Sequence, residues 1–555
     1  MTKNIRRILF ASVACCNIVA TLTSCSDYLE TPSQSAVSGD DMYATAANVD
    51  QVLTGVYGCL KPFSTYYFIM SENRSDNLFE TTESTSRDEA SCAQFNSTAL
   101  VSSNMVMNCW ADHYKLIAAA NSLIVNQGRA DGLTTATKNQ YEAEARFLRA
   151  LSYFDLVRYF GRIPLSLKEL TSDEAFQLPQ SEPLEVYNNA IIPDLKYAIA
   201  HLGDAAYDYN GKKHSERATL QAAKALLGKV YMQMAGYPLL QDTKTLAKDV
   251  LKEVIDSWDF TEKWAATIDD WNRMWLHEND NKYFLFEIQY IAEKNQGNPA
   301  AALARPSSTV DDQYCSAYLT SGQHIYLNRE LQKELVYGYR DAETNAKQTL
   351  ADIIDKRVYN TINIAQWYDE ETGRTAGGDP ESNCFVSRFF EHKMKRDSLG
   401  FGNMDATIID RTYWPQNWPI LRIEDVMLLY AECVGNTSNG KDGGIDLLNM
   451  IRTRAGWPAL PASTPQSTFD TVLKYERRIE LLGEGHRWFD EVRQNTFVKD
   501  IQQKMLYYKD FCDATHSDAY QVYANRVTQD GALYPIPIKQ MRISGGLYKQ
   551  NPGYN

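Results

Sequence analysis

The sequence predicts a mainly α-helical protein built from antiparallel helix pairs, with few short strands and a loop-rich middle. Apolar residues recur at spacings of three and four through the first half and again after residue 421. From about 292 to 418 that period gives way to clusters of Gly, Pro, Asn, Asp and Ser, and loops of such length in a compact domain are usually functional. With 555 residues, 44% of them hydrophobic, the chain can bury a large core.

The N-terminus opens with Lys3, Arg6 and Arg7, then an apolar run from Ile8 to Ala20, too short to stay in a bilayer as a spanning helix and well matched to a secretory signal. It closes on Leu22, Thr23, Ser24 and Cys25, which resembles a bacterial lipobox. That resemblance implies cleavage after residue 24 and acylation of Cys25. A plain signal with an incidental cysteine, or a short membrane anchor, are the alternatives. Acyl chains add ~0.8 kcal/mol of anchoring per buried methylene, so a lipidated Cys25 would hold the domain on a membrane without crossing it.

The helices follow in order. Val49, Val52, Val56 and Leu60 form one stripe, and Trp110, Tyr114, Ile117, Asn121 and Ile124 another. A helix over about 140–160 should stop at Gly161, with Pro164 beyond. Pro183 suits a first helical turn, and Pro193 predicts a kink or a fresh start. Helices over about 219–234 and 246–255 precede an aromatic, β-branched run at 283–291 that reads as a strand. Further helices are predicted over 421–434, 445–455 and 469–482, and both helical ends should pack as one block. No strict 34-residue repeat is visible.

Composition narrows the function. Removing the three basic residues of a cleaved signal takes the net charge from −14 to −17, which argues against nucleic acid and anionic lipid as partners. Seven cysteines remain (Cys59, Cys92, Cys109, Cys315, Cys384, Cys433 and Cys512), widely spaced and without a C-x-x-C pair, so they read as small buried hydrophobes. The histidines form no metal motif, Glu278 to Asn281 lacks calcium-loop spacing, and neither a phosphate loop nor G-x-S-x-G occurs. No catalytic residue, metal or cofactor is therefore expected.

The densest charged run is Tyr475 to Arg493, in which Glu476, Glu480 and Glu484 recur at i, i+4. A glycosidase needs two carboxylates facing each other across a bond, whereas these point the same way beside Arg477, Arg478, Arg487 and Arg493. They read as structural ion pairs. The pattern Glu476, Arg477, Glu480, Leu481, Glu484, Gly485, Arg487, Asp490 resembles the C-terminal signature of SusD/RagB lipoproteins. CSDYLETP at Cys25, EARFLRALSYFDLVRYFGRIP from Glu144, LLNMIRTRAGWP from Leu447 and QNPGY from Gln550 agree in order, and the likeness is weakest over 62–105 and 296–414.

The resemblance implies a SusD-like scaffold of tetratricopeptide-like helix pairs at residues 25–555, with helical parts at 25–291 and 419–555 and a loop-rich insertion, 292–418, carrying ligand contacts. It also implies an outer-membrane protein facing the cell exterior, which binds an oligosaccharide without cleaving it and passes it to a SusC-like TonB-dependent transporter. A peptide-binding RagB-like role, an anchored glycoside hydrolase and a helical adaptor are the rivals. Aromatics stack on the apolar faces of sugars while Asn, Asp and Arg take the hydroxyls. The candidate ligand residues are Tyr66, Tyr67, Asn73, Arg74, Asp76, Asp311, Tyr314, Tyr318, Tyr326 and Trp367, with Phe68 and Asp312 beside them. Trp110, Trp271 and Trp275 are expected in the core.

Overall fold

Ser or Thr stands just before the first three long helices and caps each one. Thr45 opens α1 (Ala46–Gly58), Ser103 opens α2 (Asn104–Asn126) and Thr134 opens α3 (Thr135–Phe160), each side chain accepting from the N–H three residues on. The computed structural model describes residues 41–80, 88–203, 207–209, 212–214, 217–275, 282–300 except 292 and 294, 325–331 except 329, 355–357, 368–369, 374–375, 415–511 and 514–554. α3 stops at Gly161, whose φ of +68° suits a residue without a Cβ.

Past a short helix, Pro183–Val186, the backbone widens into a π-turn over Tyr187–Ile191 before α4 (Ile192–His201) begins. Pro193 follows directly on the π-turn, and Ile191 before it keeps helical angles (φ −61°, ψ −55°), so the chain runs on as a helix and the widened turn, not a fresh start, accommodates the missing N–H. α5 (Leu220–Ala235), capped by Thr219, pairs with α6 (Lys244–Ser257), as α2 pairs with α3 and α3 with α4. Gly228 of α5 lies so close to Leu251 that a Cβ would sit 2.5 Å from a Leu251 methyl.

The main strands are β1 (Leu78–Glu80), β2 (Phe284–Ile288), β3 (Ile325–Leu327) and β4 (Trp418–Arg422), paired antiparallel as β1 with β3 and β2 with β4. β4 corrects the reading of 418–422, where loop was expected to give way to helix at Leu421. Pro419 cannot donate inside a helix, and the run fits beside the aromatic β2, with Trp418 opposite Ile288. α7 (Ile423–Val434) follows at once and packs on α6, so the two helical parts do share one core. Trp110, Trp271 and Trp275 are buried in that core as expected.

α8 (Gly444–Arg454) and α9 (Gln466–Glu480) match expectation, but three more helices follow that the sequence reading did not resolve: α10 (Arg487–Arg493), α11 (Phe497–Phe511) and α12 (Ala514–Arg526). Phe497, Ile501, Met505 and Tyr508, buried at spacings of four, four and three, are the signal for α11. α13 (Ile538–Ile543) comes last.

The charged run folds into the centre of the molecule. α9 ends at Glu480, so Glu484 lies in the turn beyond it, yet the side chains of Glu476, Glu480 and Glu484 are all fully buried. Glu480 accepts from Arg357 at 2.9 Å, Arg422 at 3.1 Å, Arg454 at 2.8 Å and the indole of Trp271 at 3.0 Å. Glu484 takes Arg422 through two nitrogens, at 2.8 and 2.9 Å, and Glu476 takes Arg357 at 2.6 Å. The ion-pair reading holds, but the partners differ from the neighbours in sequence. Arg477 instead binds Asp425 and Asp490, Arg478 and Arg487 bind Asp76, and Arg493 binds Glu432 and Asp490.

Two predictions follow from this packing. Glu480→Gln leaves three buried guanidinium groups short of a charge, so urea unfolding should show a loss of about 3–5 kcal/mol; an unchanged midpoint would contradict the burial. Asp490 tests the acid side. Burial pushes its carboxyl up, but Arg477 at 2.7 Å and Arg493 at 2.9 Å outweigh this and hold it down to about 2, below its ordinary 3.8. A depressed acid stabilises fully above its unfolded pKa and loses that contribution as pH falls through the folded value. The stability advantage of the wild type over Asp490→Asn should thus be constant above about pH 5 and shrink toward pH 2, as read by urea midpoints across that range.

Candidate functional site

Half of the sequence-proposed ligand residues turn out to be internal. Tyr66 ends a short helix, Phe63–Tyr66, that runs into a π-turn over Tyr67–Glu72, and the shift of helical phase hides the period from a sequence reading. The Tyr66 hydroxyl donates to Asp112, and that of Tyr67 to Asp155 at 2.6 Å. Asn73 donates to the Glu89 carbonyl at 3.1 Å. The Arg74 guanidinium lies between the rings of Phe95 and Tyr534, 3.9 and 4.3 Å from their centroids, and donates to the Gly531 carbonyl at 2.8 Å. Asp76 takes Arg487 through both oxygens, at 2.7 and 2.9 Å.

All five, and Phe68, are at most 6% exposed. The expectation of a ligand-facing loop at these positions is corrected: side chains spent on internal contacts offer no face to a ligand. The backbone of Tyr326 lies in β3 opposite Phe79. Asp311, Asp312, Tyr314, Tyr318 and Trp367 lie outside the described residues, as do Cys25, Glu278 to Asn281, Cys315, Cys384 and Cys512. The four described cysteines are free thiols.

Two clusters resemble reactive sites. Cys109, His113 and Asp155 line up as a nucleophile, base and orienting acid would, with Sγ 3.7 Å from Nδ1 and Nε2 3.4 Å from the carboxylate. Yet Nδ1 lies 2.7 Å from the Cys109 carbonyl, which can only accept, so Nδ1 carries a proton and cannot take one from the thiol. Burial also drives the thiol well above its ordinary range, and all three residues are sealed from solvent. The set is structural. Asp76, Glu491 and Asp500 bring carboxylates close enough for a metal, but Arg487 stands among them, 2.7 Å from Asp76, 3.2 Å from Glu491 and 3.7 Å from Asp500. Its guanidinium already supplies the cation.

A cleft of about 650 Å³ opens between α2, the connection after α3 and the chain from α13 onward. Trp110, Tyr114, Ile117, Phe176, Ile543 and Tyr548 form its apolar walls. Trp110 is locked by Phe160 edge-on at 5.1 Å and by Tyr114 at 5.1 Å. Three polar groups of the lining are spent internally: Tyr114 donates to the Pro164 carbonyl at 2.7 Å, Tyr153 to that of Ser166 at 2.7 Å, and Asn121 to that of Lys168 at 3.0 Å, while Gln540 and the exposed pair Lys168 and Glu174 also line the cleft. Phe176 is 51% exposed and Ile543 40%, with Leu167 and Leu547 exposed next to lining residues in sequence. Exposed apolar groups gathered at one cleft suit contact with apolar side chains.

Fold and clefts together define a helical binding scaffold. Residues 27–232 match a family model described as starch-binding and associating with the outer membrane, and residues 282–554 match the model of the SusD family. A SusD-like protein of Formosa agariphila is 26% identical, with 97% of each chain covered, and one of Bacteroides ovatus is 25% identical over 72% of this chain and 67% of that one. Among solved structures, a laminarin-binding SusD-like protein superposes with a TM-score of 0.68 at 22% identity, covering 92% of this chain and all of the other. Surface glycan-binding protein A of Bacteroides thetaiotaomicron, solved with laminarihexaose, superposes at 0.66 and 18% identity with the same coverage. The chain belongs to the SusD family and is a binding protein, not an enzyme.

The walls of the cleft make separable contributions. Trp110→Ala should cost about 3–5 kcal/mol of stability, whereas Phe176→Ser at the exposed rim should stay within about 0.5 kcal/mol. Denaturant unfolding of both variants checks the pair.

Proposed function

We propose that this protein is anchored to the outer membrane through acylated Cys25, captures a neutral oligosaccharide at the cell surface and passes it to a SusC-like TonB-dependent transporter. The observation that supports this most is the collinear match of both halves to one family, the first half to a model described as starch-binding and outer-membrane-associating. The solved relatives named for laminarin and laminarihexaose favour a glycan over a peptide. Hydrolysis is disfavoured because Glu476, Glu480 and Glu484 are buried and held by arginines. No helix among the described residues is long and apolar enough to cross a membrane, which suits a lipid anchor.

For the sugar we assign the middle segment, with Asp311, Tyr314, Tyr318, Tyr326 and Trp367 as contacts. For the transporter we assign the apolar cleft, whose exposed Phe176 and Ile543 suit protein side chains better than hydroxyls. Stacking and neutral hydrogen bonds carry no long-range Coulomb component, so affinity should not change with salt.

A glycan panel that includes laminarihexaose and maltohexaose, followed by calorimetry at low and high salt, tests the reading. Tyr314→Ala or Tyr318→Ala should weaken binding roughly tenfold to hundredfold, as hot-spot truncations do. Steep salt dependence with unchanged affinity in both variants would favour a charged peptide instead. Cys25→Ala should leave the fold intact and move the protein from the membrane to the soluble fraction. Retention in the membrane pellet of cells lacking the transporter would contradict the anchor.

A further inference from the structure

α11 carries a second surface of a different character from the apolar cleft. Phe497, Ile501, Lys504, Met505 and Tyr508 are buried on one side of the helix. The other side lines an open groove of about 650 Å³ with Asn495, Lys499, Gln502, Gln503, Leu506 and Gln529, floored by Val498 and Tyr507. Four of these eight residues carry carboxamides and none a carboxylate, although the chain as a whole is acidic with a net charge of −14. From Val498 to Leu506 the face runs about 12 Å at 1.5 Å per residue, longer than one sugar ring.

Three of the four amides are held in place. Gln529 donates through Nε2 to Oδ1 of Asn495 at 3.2 Å, and Gln502 donates through Nε2 to the Val527 carbonyl at 2.9 Å. Asn495, which lines the groove, has a left-handed backbone, φ +57°, a conformation asparagine tolerates. Each bonded amide keeps its other half: Asn495 retains Nδ2 as a donor, while Gln502 and Gln529 retain Oε1 as acceptors. Gln503 and Lys499, both exposed, add further donors and an acceptor.

A sugar hydroxyl donates and accepts at once, so it matches alternating amide donors and acceptors, and the apolar face of a ring matches Val498 and the 39% exposed Leu506. Amides held by internal bonds also lose little side-chain freedom when a ligand binds. On the opposite side of α11, Lys504 donates to the carbonyls of Ser75 at 2.5 Å and Leu78 at 2.8 Å. That ties the groove to β1 and, through the β1–β3 ladder, to the middle segment.

We propose that the carboxamide groove along α11 is a second oligosaccharide subsite, separate from the middle-segment contacts; the inference rests on the glycan reading of the function. The test is calorimetry on the mature full-length chain with laminarihexaose and with maltohexaose. The wild type should show two binding events with at least one of these sugars. A double variant, Gln502→Ala with Gln503→Ala, should weaken one event at least tenfold and leave the other unchanged. Hydrogen exchange of the wild type should show slowing over 495–507 on saturation with the same sugar, and Tyr314→Ala should keep that slowing. Identical titrations for wild type and double variant, or no slowing over 495–507, would overturn the subsite while leaving the glycan reading intact. Failure of the wild type to bind either sugar would overturn this subsite outright, and a panel negative for every glycan would overturn the glycan reading as well.

Discussion

One buried carboxylate, that of Glu480, organises the molecule. It receives guanidinium groups from a turn in the middle segment (Arg357), from the end of β4 (Arg422) and from the end of α8 (Arg454), together with the Trp271 indole. Four parts of the chain distant in sequence thus meet at one negative charge. Burying ions costs several kcal/mol each, and only complete pairing recovers it, so these parts can be buried only in the arrangement that satisfies them all. Arg357 matters further because Asp355 also binds it at 2.7 Å, fixing a point of the middle segment against α9.

The same economy explains where binding can occur. In the interior, Asp76, Asp155, Asp425 and Asp490 are all matched by cations, and the tyrosine hydroxyls at Tyr66 and Tyr67 are spent on carboxylates. The two surfaces described above differ in kind. The cleft beside α2 is walled largely by rings and methyls, whereas the α11 face keeps amide donors and acceptors over a small apolar floor.

The helical scaffold was legible because its signals are local. Stripes such as Val49, Val52, Val56 and Leu60 repeat within a few residues, and Gly161 and Pro193 act on their own backbone. The structural role of Glu480 and Glu484 was legible too, since carboxylates on one side of a chain cannot face each other across a substrate. Their partners were not: Arg357 is 123 residues from Glu480, and neighbours such as Arg477 turn to Asp425 and Asp490 instead. Nor was the burial of Tyr66 to Asp76, where a π-turn breaks the helical phase and aromatic and charged residues read as a loop. The strand at Trp418–Arg422 depends on β2, about 130 residues away, and pairing at that range leaves no mark in the local pattern.

The account separates a charge network that holds the fold from surfaces that bind. Glu480→Gln, studied at a temperature where it stays folded, puts that separation to the test by calorimetry with a glycan the wild type binds. The account predicts affinity and stoichiometry equal to wild type alongside reduced stability. Loss of binding with unchanged stability would contradict it and place Glu480 in the ligand site.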